Sequence, residues 1–131
     1  MGAAASVLVV DDDADIRDCM ADVLESAGYD VRTAANGKEG LEALCGGYRP
    51  CVVLLDLMMP VMTGQEFLAA VRRSELSRLP VVVVTAAGQS VVAPGADELM
   101  RKPFDIDLLL DTVERHCAVG APALTSSSPP G

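Results

Sequence analysis

Four short apolar runs each lead into residues that carry charge or a hydroxyl: VLVVDDD (Val7 to Asp13), VVLLD (Val52 to Asp56), VVVVT (Val81 to Thr85) and ELMRKPF (Glu98 to Phe104). The first three are continuously apolar, which predicts strands buried on both faces rather than strands with one face in water. A sheet buried on both faces needs a covering layer on each side, and the segments between the runs supply it as helices reached by right-handed crossovers. The polar residues then fall at the carboxyl ends of parallel strands, the edge where open α/β sheets bind ligands. An α/β chain with its chemistry gathered along one sheet edge is the expectation.

The intervening segments read accordingly. A first helix is expected over Ala14 to Ala27, with Ile16, Cys19, Met20, Val23 and Leu24 as its inward stripe and Gly28 as its stop. Asp30 to Ala34 reads as a short second strand. Asn36 caps a second helix that runs through Leu44 with Leu41 and Leu44 inward, before Gly46-Gly47. Cys51 to Leu55 is the third strand. A third helix covers Gln65 to Ser74 and buries Phe67, Leu68 and Val71. Val81 to Val84 and Glu98 to Arg101 are the fourth and fifth strands. A last helix, capped by Asp105, reaches Cys117 with Ile106, Leu109, Leu110, Val113 and Cys117 along one stripe. Between the fourth and fifth strands, AAGQSVVAPGAD holds Gly88, Pro94 and Gly95, so a helix there is shortened or absent.

At 131 residues the chain is read as one domain with one well-buried core. Its net charge of −9, nineteen acids against ten bases, disfavours direct binding to nucleic acid. The apolar runs are too short to insert in a membrane, and MGAAAS lacks the basic and apolar segments of a signal peptide, so a cytoplasmic location is expected. Cys19, Cys45, Cys51 and Cys117 form no CxxC pair, and the expectation is small buried thiols in a reducing compartment, not zinc ligands or disulfides.

The acidic cluster Asp11, Asp12, Asp13 and Asp15 admits several readings. A calcium loop fails, because Ile16 stands where glycine is needed and Asp22 falls within the first helix. Helix capping accounts for one or two of these acids, but three consecutive acids exceed capping needs. Two carboxylates from the first strand end plus Asp56 from the third supply hard oxygen ligands for magnesium while leaving places for phosphate oxygens. Asp56 can then act as a nucleophile, with Lys102 neutralising the transferred group and Thr85 donating a hydroxyl to it. The DxDx opening also resembles that of haloacid-dehalogenase-type phosphatases, although Asp15 stands where that family has Thr or Val.

In combination, VLVVDDDADIR, VVLLDLMMPVMTGQEF, PVVVVTAAG and GADELMRKPF resemble the receiver domain of two-component response regulators, over about Ser6 to Cys117. The resemblance implies a flavodoxin-like, doubly wound, five-stranded parallel sheet of order 2-1-3-4-5. It implies a chain that is not an enzyme on other molecules but takes part in its own phosphotransfer and dephosphorylation. Asp56 is the implied phosphoacceptor, with Thr85 and Lys102 as the phosphate-sensing pair. Asp11, Asp12, Asp56 and the backbone carbonyl of Met58 are the implied magnesium site, with Asp12 as the direct ligand of the acidic pair and Asp11 acting through water. Asp13 aligns with a variable position and is assigned to helix capping, and Lys102–Pro103 is the implied cis peptide. The partners implied are a sensor histidine kinase or a His-containing phosphotransfer protein, and a downstream protein whose contacts phosphorylation switches.

The chain departs from that family pattern at Leu99, where a Tyr or Phe normally serves as the aromatic switch, and in the short connection from Thr85 to Gly95. Phosphorylation chemistry is therefore expected to be retained with an unconventional output face. Met58 and Ala87, without polar side-chain groups, are expected to slow hydrolysis of the phosphoryl group. The expected layout is a flexible N-terminus over 1–5, the receiver over 6–117, and a disordered tail or start of a linker over 118–131, in either a stand-alone receiver or a fragment of a longer regulator. The alternatives are a degenerate receiver serving as a phosphorylation-independent scaffold and a small phosphatase with Asp11 as nucleophile.

Overall fold

Burial separates the strands into two kinds. In the computed structural model, which describes residues 5–56, 62–85, 95–102 and 105–120, β3 (Val52–Asp56) and β4 (Val81–Thr85) are buried at every residue. β1 (Ser6–Val10) is buried at all but Ser6. β2 (Asp30–Ala34) and β5 (Glu98–Arg101) are mostly accessible, with only Ala34 and Met100 fully buried. All pairings are parallel, and the order is β2-β1-β3-β4-β5, the flavodoxin-like arrangement. The continuously apolar runs thus become the three central strands, as a sheet covered on both faces requires.

Strand alternation sends side chains to two cores. Leu8, Val10, Val53, Leu55, Val81 and Val83 face α2 (Gly37–Cys45) and α3 (Gly64–Arg72), meeting Leu44, Phe67, Leu68 and Val71. Val7, Val9, Val52, Leu54, Val82, Val84 and Met100 face α1 (Ala14–Ser26) and α4 (Ile106–Gly120), meeting Met20, Leu24, Leu109 and Val113. Gly40 marks a close helix-to-sheet approach: a Cβ there would lie 3.1 Å from both Phe67 and Val10.

The helix starts obey local chemistry. Asp13 caps α1, its Oδ1 accepting from the Asp15 and Ile16 amides at 3.0 and 3.3 Å, as its sequence assignment required. Asn36 caps α2 through the Glu39 amide at 2.9 Å. α3 begins with a capping box that sequence reasoning missed, Thr63 and Glu66 each accepting from the other's amide. Gly28, at φ +101°, closes α1 while the Tyr29 amide bonds back to Leu24 O.

Several expectations are corrected. α3 ends at Arg72 rather than Ser74, and α4 continues to Gly120 rather than ending at Cys117. Cys19 and Ile106, assigned to inward stripes, are exposed, because each sits at the margin of its helix's apolar arc. The four thiols are not independent and buried. Cys51 and Cys117 are joined, Cα atoms 5.0 Å apart, while Cys19 and Cys45 are free and exposed. The length of α4 explains the meeting. The eleven helical steps from Ile106 to Cys117 rise about 16 Å, close to the length of a five-residue strand. The helix thus returns Cys117 to the end of the sheet from which β3 departs. The expected shortening between β4 and β5 concerns residues 86–94, which lie outside the described residues.

Candidate functional site

Alternation that buries Val7 and Val9, Val52 and Leu54, and Met100 on one face carries Asp11, Asp56 and Lys102 toward that same face at the strand ends. The structure brings them together. Asp11 is 2 % exposed and Asp56 7 %, whereas Asp12 is exposed, and their carboxylate oxygens lie within 4.8 Å of one another. Lys102 reaches across from the end of β5, its Nζ donating to Asp11 Oδ2 at 3.1 Å. Its amide donates to Thr85 O at 2.6 Å, which ties the Lys102 backbone to the end of β4. Thr85 is fully buried.

Asp11 is held on every side. Its amide donates to Ala34 O at 3.2 Å, extending the β1–β2 ladder by one bond. Its Oδ1 accepts from the Asp13 amide at 2.9 Å, and its carbonyl accepts from Arg17 Nη1 at 2.7 Å. Arg17 was not singled out in the sequence. Its position six residues on, one turn into α1, was the available signal.

A second unforeseen group fixes the opposite end of β4 and β5. Arg72, the last residue of α3, donates to the carbonyls of Gly95, Ser77 and Leu79 and to Asp97 Oδ2, at 2.7 to 2.9 Å. The same Asp97 oxygen accepts from the Val81 amide at 2.8 Å, and the Asp97 amide donates to Val81 O at 2.9 Å. One guanidinium therefore sets how β5 lies beside β4, and with it where Lys102 emerges.

Gathering three carboxylates, two of them buried, costs electrostatic energy, part of which the Lys102 ammonium offsets. Hard, anionic oxygen donors at this separation suit a divalent cation of the oxygen-seeking kind. A carboxylate, a cation site, a hydroxyl and an ammonium on neighbouring strand ends are the elements needed to receive a phosphoryl group.

The other sequence-assigned positions fall elsewhere. Leu99 lies on β5 opposite Val83 and is 37 % exposed, so it packs outward rather than into the core. Met58, Ala87 and Pro103 lie outside the described residues, and so do the carbonyl and cis-peptide assignments placed on Met58 and Pro103. Among the described residues no helix is long and apolar enough to cross a membrane.

Comparison with known proteins bears on the same residues. The profile of the response regulator receiver domain matches residues 7–114. The transcriptional regulatory protein CpxR homolog of Haemophilus influenzae is 39 % identical over 106 residues, 77 % of this chain and 45 % of that protein. Protein Rrf1 of Nitratidesulfovibrio vulgaris is 37 % identical over 119 residues, 89 % of this chain and 86 % of its own length. Among solved structures, the chemotaxis response regulator CheY4 of Vibrio cholerae superposes with a TM-score of 0.75 at 39 % identity, covering 86 % of this chain and 98 % of its own. The chain spans less than half the length of several curated regulators it matches.

Proposed function

The chain belongs to the response regulator receiver domain family, a family of signalling modules, and on that premise we propose that it accepts a phosphoryl group on Asp56. The observation that carries the reading is the convergence of Asp11, Asp12 and Asp56 within 4.8 Å, with Lys102 bonded to Asp11. The donor is a phosphohistidine on a sensor histidine kinase or a phosphotransfer protein. An Asp56 carboxylate oxygen forms the new P–O bond as the donor's P–N bond breaks, and the imidazole leaves with the electron pair.

Asp11, Asp12 and Asp56 are the residues that would hold Mg²⁺, which when bound neutralises charge on the phosphoryl oxygens. Lys102 adds a positive charge on the same side, and the Thr85 hydroxyl supplies a donor to one phosphoryl oxygen. Residues 6–117 constitute the receiver in this reading. The chain takes part in its own dephosphorylation when water replaces Asp56 at phosphorus. Its acidity, net −9, directs the output to a protein surface rather than to nucleic acid, in a cytoplasmic relay. Where relatives are named as transcriptional regulators, the same output would reach DNA through a separate DNA-binding region.

The test is intact mass after incubation with acetyl phosphate, with and without Mg²⁺, for the wild type, Asp56→Asn and Asp11→Asn. One Mg²⁺-dependent phosphoryl group that is absent from Asp56→Asn supports the reading. Labelling that survives in Asp56→Asn and is lost in Asp11→Asn would favour a phosphatase of the haloacid-dehalogenase type. No labelling from acetyl phosphate or from a phosphohistidine donor would favour a scaffold.

A further inference from the structure

The bridge between Cys51 and Cys117 lies at the end of the sheet remote from Asp56. Cys51 immediately precedes β3, whose last residue is Asp56, and its amide is fixed to Ser6 O at 2.8 Å. Cys117 stands late in α4 and lines the core, 7 % exposed, while Cys51 is half-buried at the margin of that core. Their Cα separation of 5.0 Å falls inside the range a disulfide spans without backbone movement. The two cysteines are 66 residues apart, so a bond between them closes most of the fold into one loop. Cys19 and Cys45 are exposed on α1 and α2 and are free.

We propose that Cys51 and Cys117 form a thiol–disulfide modification site at which a low-molecular-weight disulfide of the glutathione class locks α4 onto the start of β3. The accessibility of Cys51 sets the order of events. Its thiolate attacks one sulfur of the small disulfide, displacing one small thiolate and leaving a mixed disulfide on Cys51. The Cys117 thiolate then attacks Cys51 Sγ and displaces the second small thiolate. Two protein thiols are oxidised to one bridge, one small disulfide is reduced to two thiols, and the two protons pass to the released thiolates. In a reducing compartment such a bridge is transient and follows the thiol poise, which makes it a sensor rather than a permanent brace.

The consequence is mechanical and separate from phosphoryl transfer. α4 follows the segment bearing Lys102, and its far end, held by the bridge, leads into residues 121–131. Oxidation pins that far end to β3 and suppresses fraying of the last turns, while leaving the carboxylate cluster at the other end of the sheet open. Reduction leaves α4 held by packing, with Leu109 and Val113 as its buried anchors, and by the contacts of Arg115 and His116 with Glu98.

The experiment equilibrates the whole chain with glutathione and glutathione disulfide at stepped ratios, quenches in denaturant with an alkylating agent, and counts adducts by intact mass. Oxidising ratios are expected to leave two alkylated cysteines, mapped by peptides to Cys19 and Cys45, with a Cys51–Cys117 crosslinked peptide. Dithiothreitol is expected to restore four. The oxidised wild type should melt several degrees above the reduced form and show slowed amide exchange in α4. Cys51→Ser, a change at the half-buried partner, should melt as the reduced protein does and show no redox shift. Four alkylated cysteines under excess glutathione disulfide would overturn the proposal. So would a stable glutathione adduct on Cys51 without closure, or a bridge that moves neither melting nor exchange. Asp56→Asn should show the same alkylation pattern and the same redox-dependent shift in melting, whatever its absolute melting temperature, so this result and the phosphorylation result stand or fall separately.

Discussion

The central and edge strands of one sheet do different work. β1, β3 and β4 are buried nearly end to end and deliver Asp11, Asp56 and Thr85 as buried polar residues at their carboxyl ends. β5, at the edge, buries only Met100 fully and shows Leu99 and Arg101 to solvent. A strand packed on both faces has no freedom to slide, because a shift of one residue would send every side chain to the wrong layer. The carboxylates it carries are therefore fixed to within the packing tolerance of the core. An edge strand has one neighbour and one bare side, so its side chains answer to solvent and to whatever docks there. The buried polar cluster is placed where the sheet is rigid, and the accessible surface of β5 lies where it is not.

The largest effect expected from breaking this contrast is in the core beneath the site. Phe67→Ala removes a fully buried ring that lies against Gly40 and the sheet, and should cost about 3–5 kcal/mol in urea denaturation. Lys102→Met, at the site itself, removes the ammonium from Asp11 and leaves the buried carboxylates less compensated. A loss of about 1–3 kcal/mol without metal is expected, with Mg²⁺ restoring part of it. Restoration larger than in the wild type is the specific sign that the three carboxylates act as one anionic site. At the edge, Leu99→Ala should change stability by less than about 1 kcal/mol, since its side chain is already partly in water. A cost comparable to that of Phe67→Ala would show that β5 is packed like a central strand.

The smallest effect concerns pH and also belongs to the edge. Glu98 on β5 accepts from both Arg115 Nη atoms, at 3.2 and 3.0 Å, and lies 2.9 Å from His116 Nε2. The Arg115 hydrogen bonds hold its carboxyl below the ordinary glutamate range, partly opposed by burial, with His116 lowering it further. A carboxyl lowered in the folded state contributes stability that is complete above the unfolded value of about 4.3. That contribution disappears as pH falls through the lower folded value. Wild type should thus melt slightly above Glu98→Gln near neutral pH, and the gap should close under acid. Because these groups face solvent, the gap should also shrink with added salt.

The sheet and its polar edge were legible in the sequence for the same reason that they are rigid. Continuous apolar runs such as VVVV can be satisfied only inside, and the first polar residue after each marks the strand's exit. Asn36 was legible as a cap because a short polar side chain before a helical stripe has few other uses. Asp13, one of several adjacent acids, was singled out as a cap only through the family resemblance. What escaped notice depends on tertiary meeting. Arg72 and Asp97 are 25 residues apart, and nothing in either neighbourhood says that α3 ends beside the start of β5. Cys51 and Cys117 meet only because α4 runs back the length of the sheet. The Thr63–Glu66 box was a local signal, legible in principle from its spacing but overlooked beside the MMP segment that precedes it.

The most direct test locates the acyl phosphate itself. After Mg²⁺-dependent phosphorylation, borohydride reduces an aspartyl phosphate to homoserine, and peptide sequencing by mass spectrometry identifies the position. Conversion at Asp56, absent when Mg²⁺ is omitted, is the expected result. Conversion at Asp11 or Asp12, or phosphate retained on a Ser or Thr with Asp56 unmodified, would contradict the assignment of the buried end of β3 as the phosphoryl acceptor.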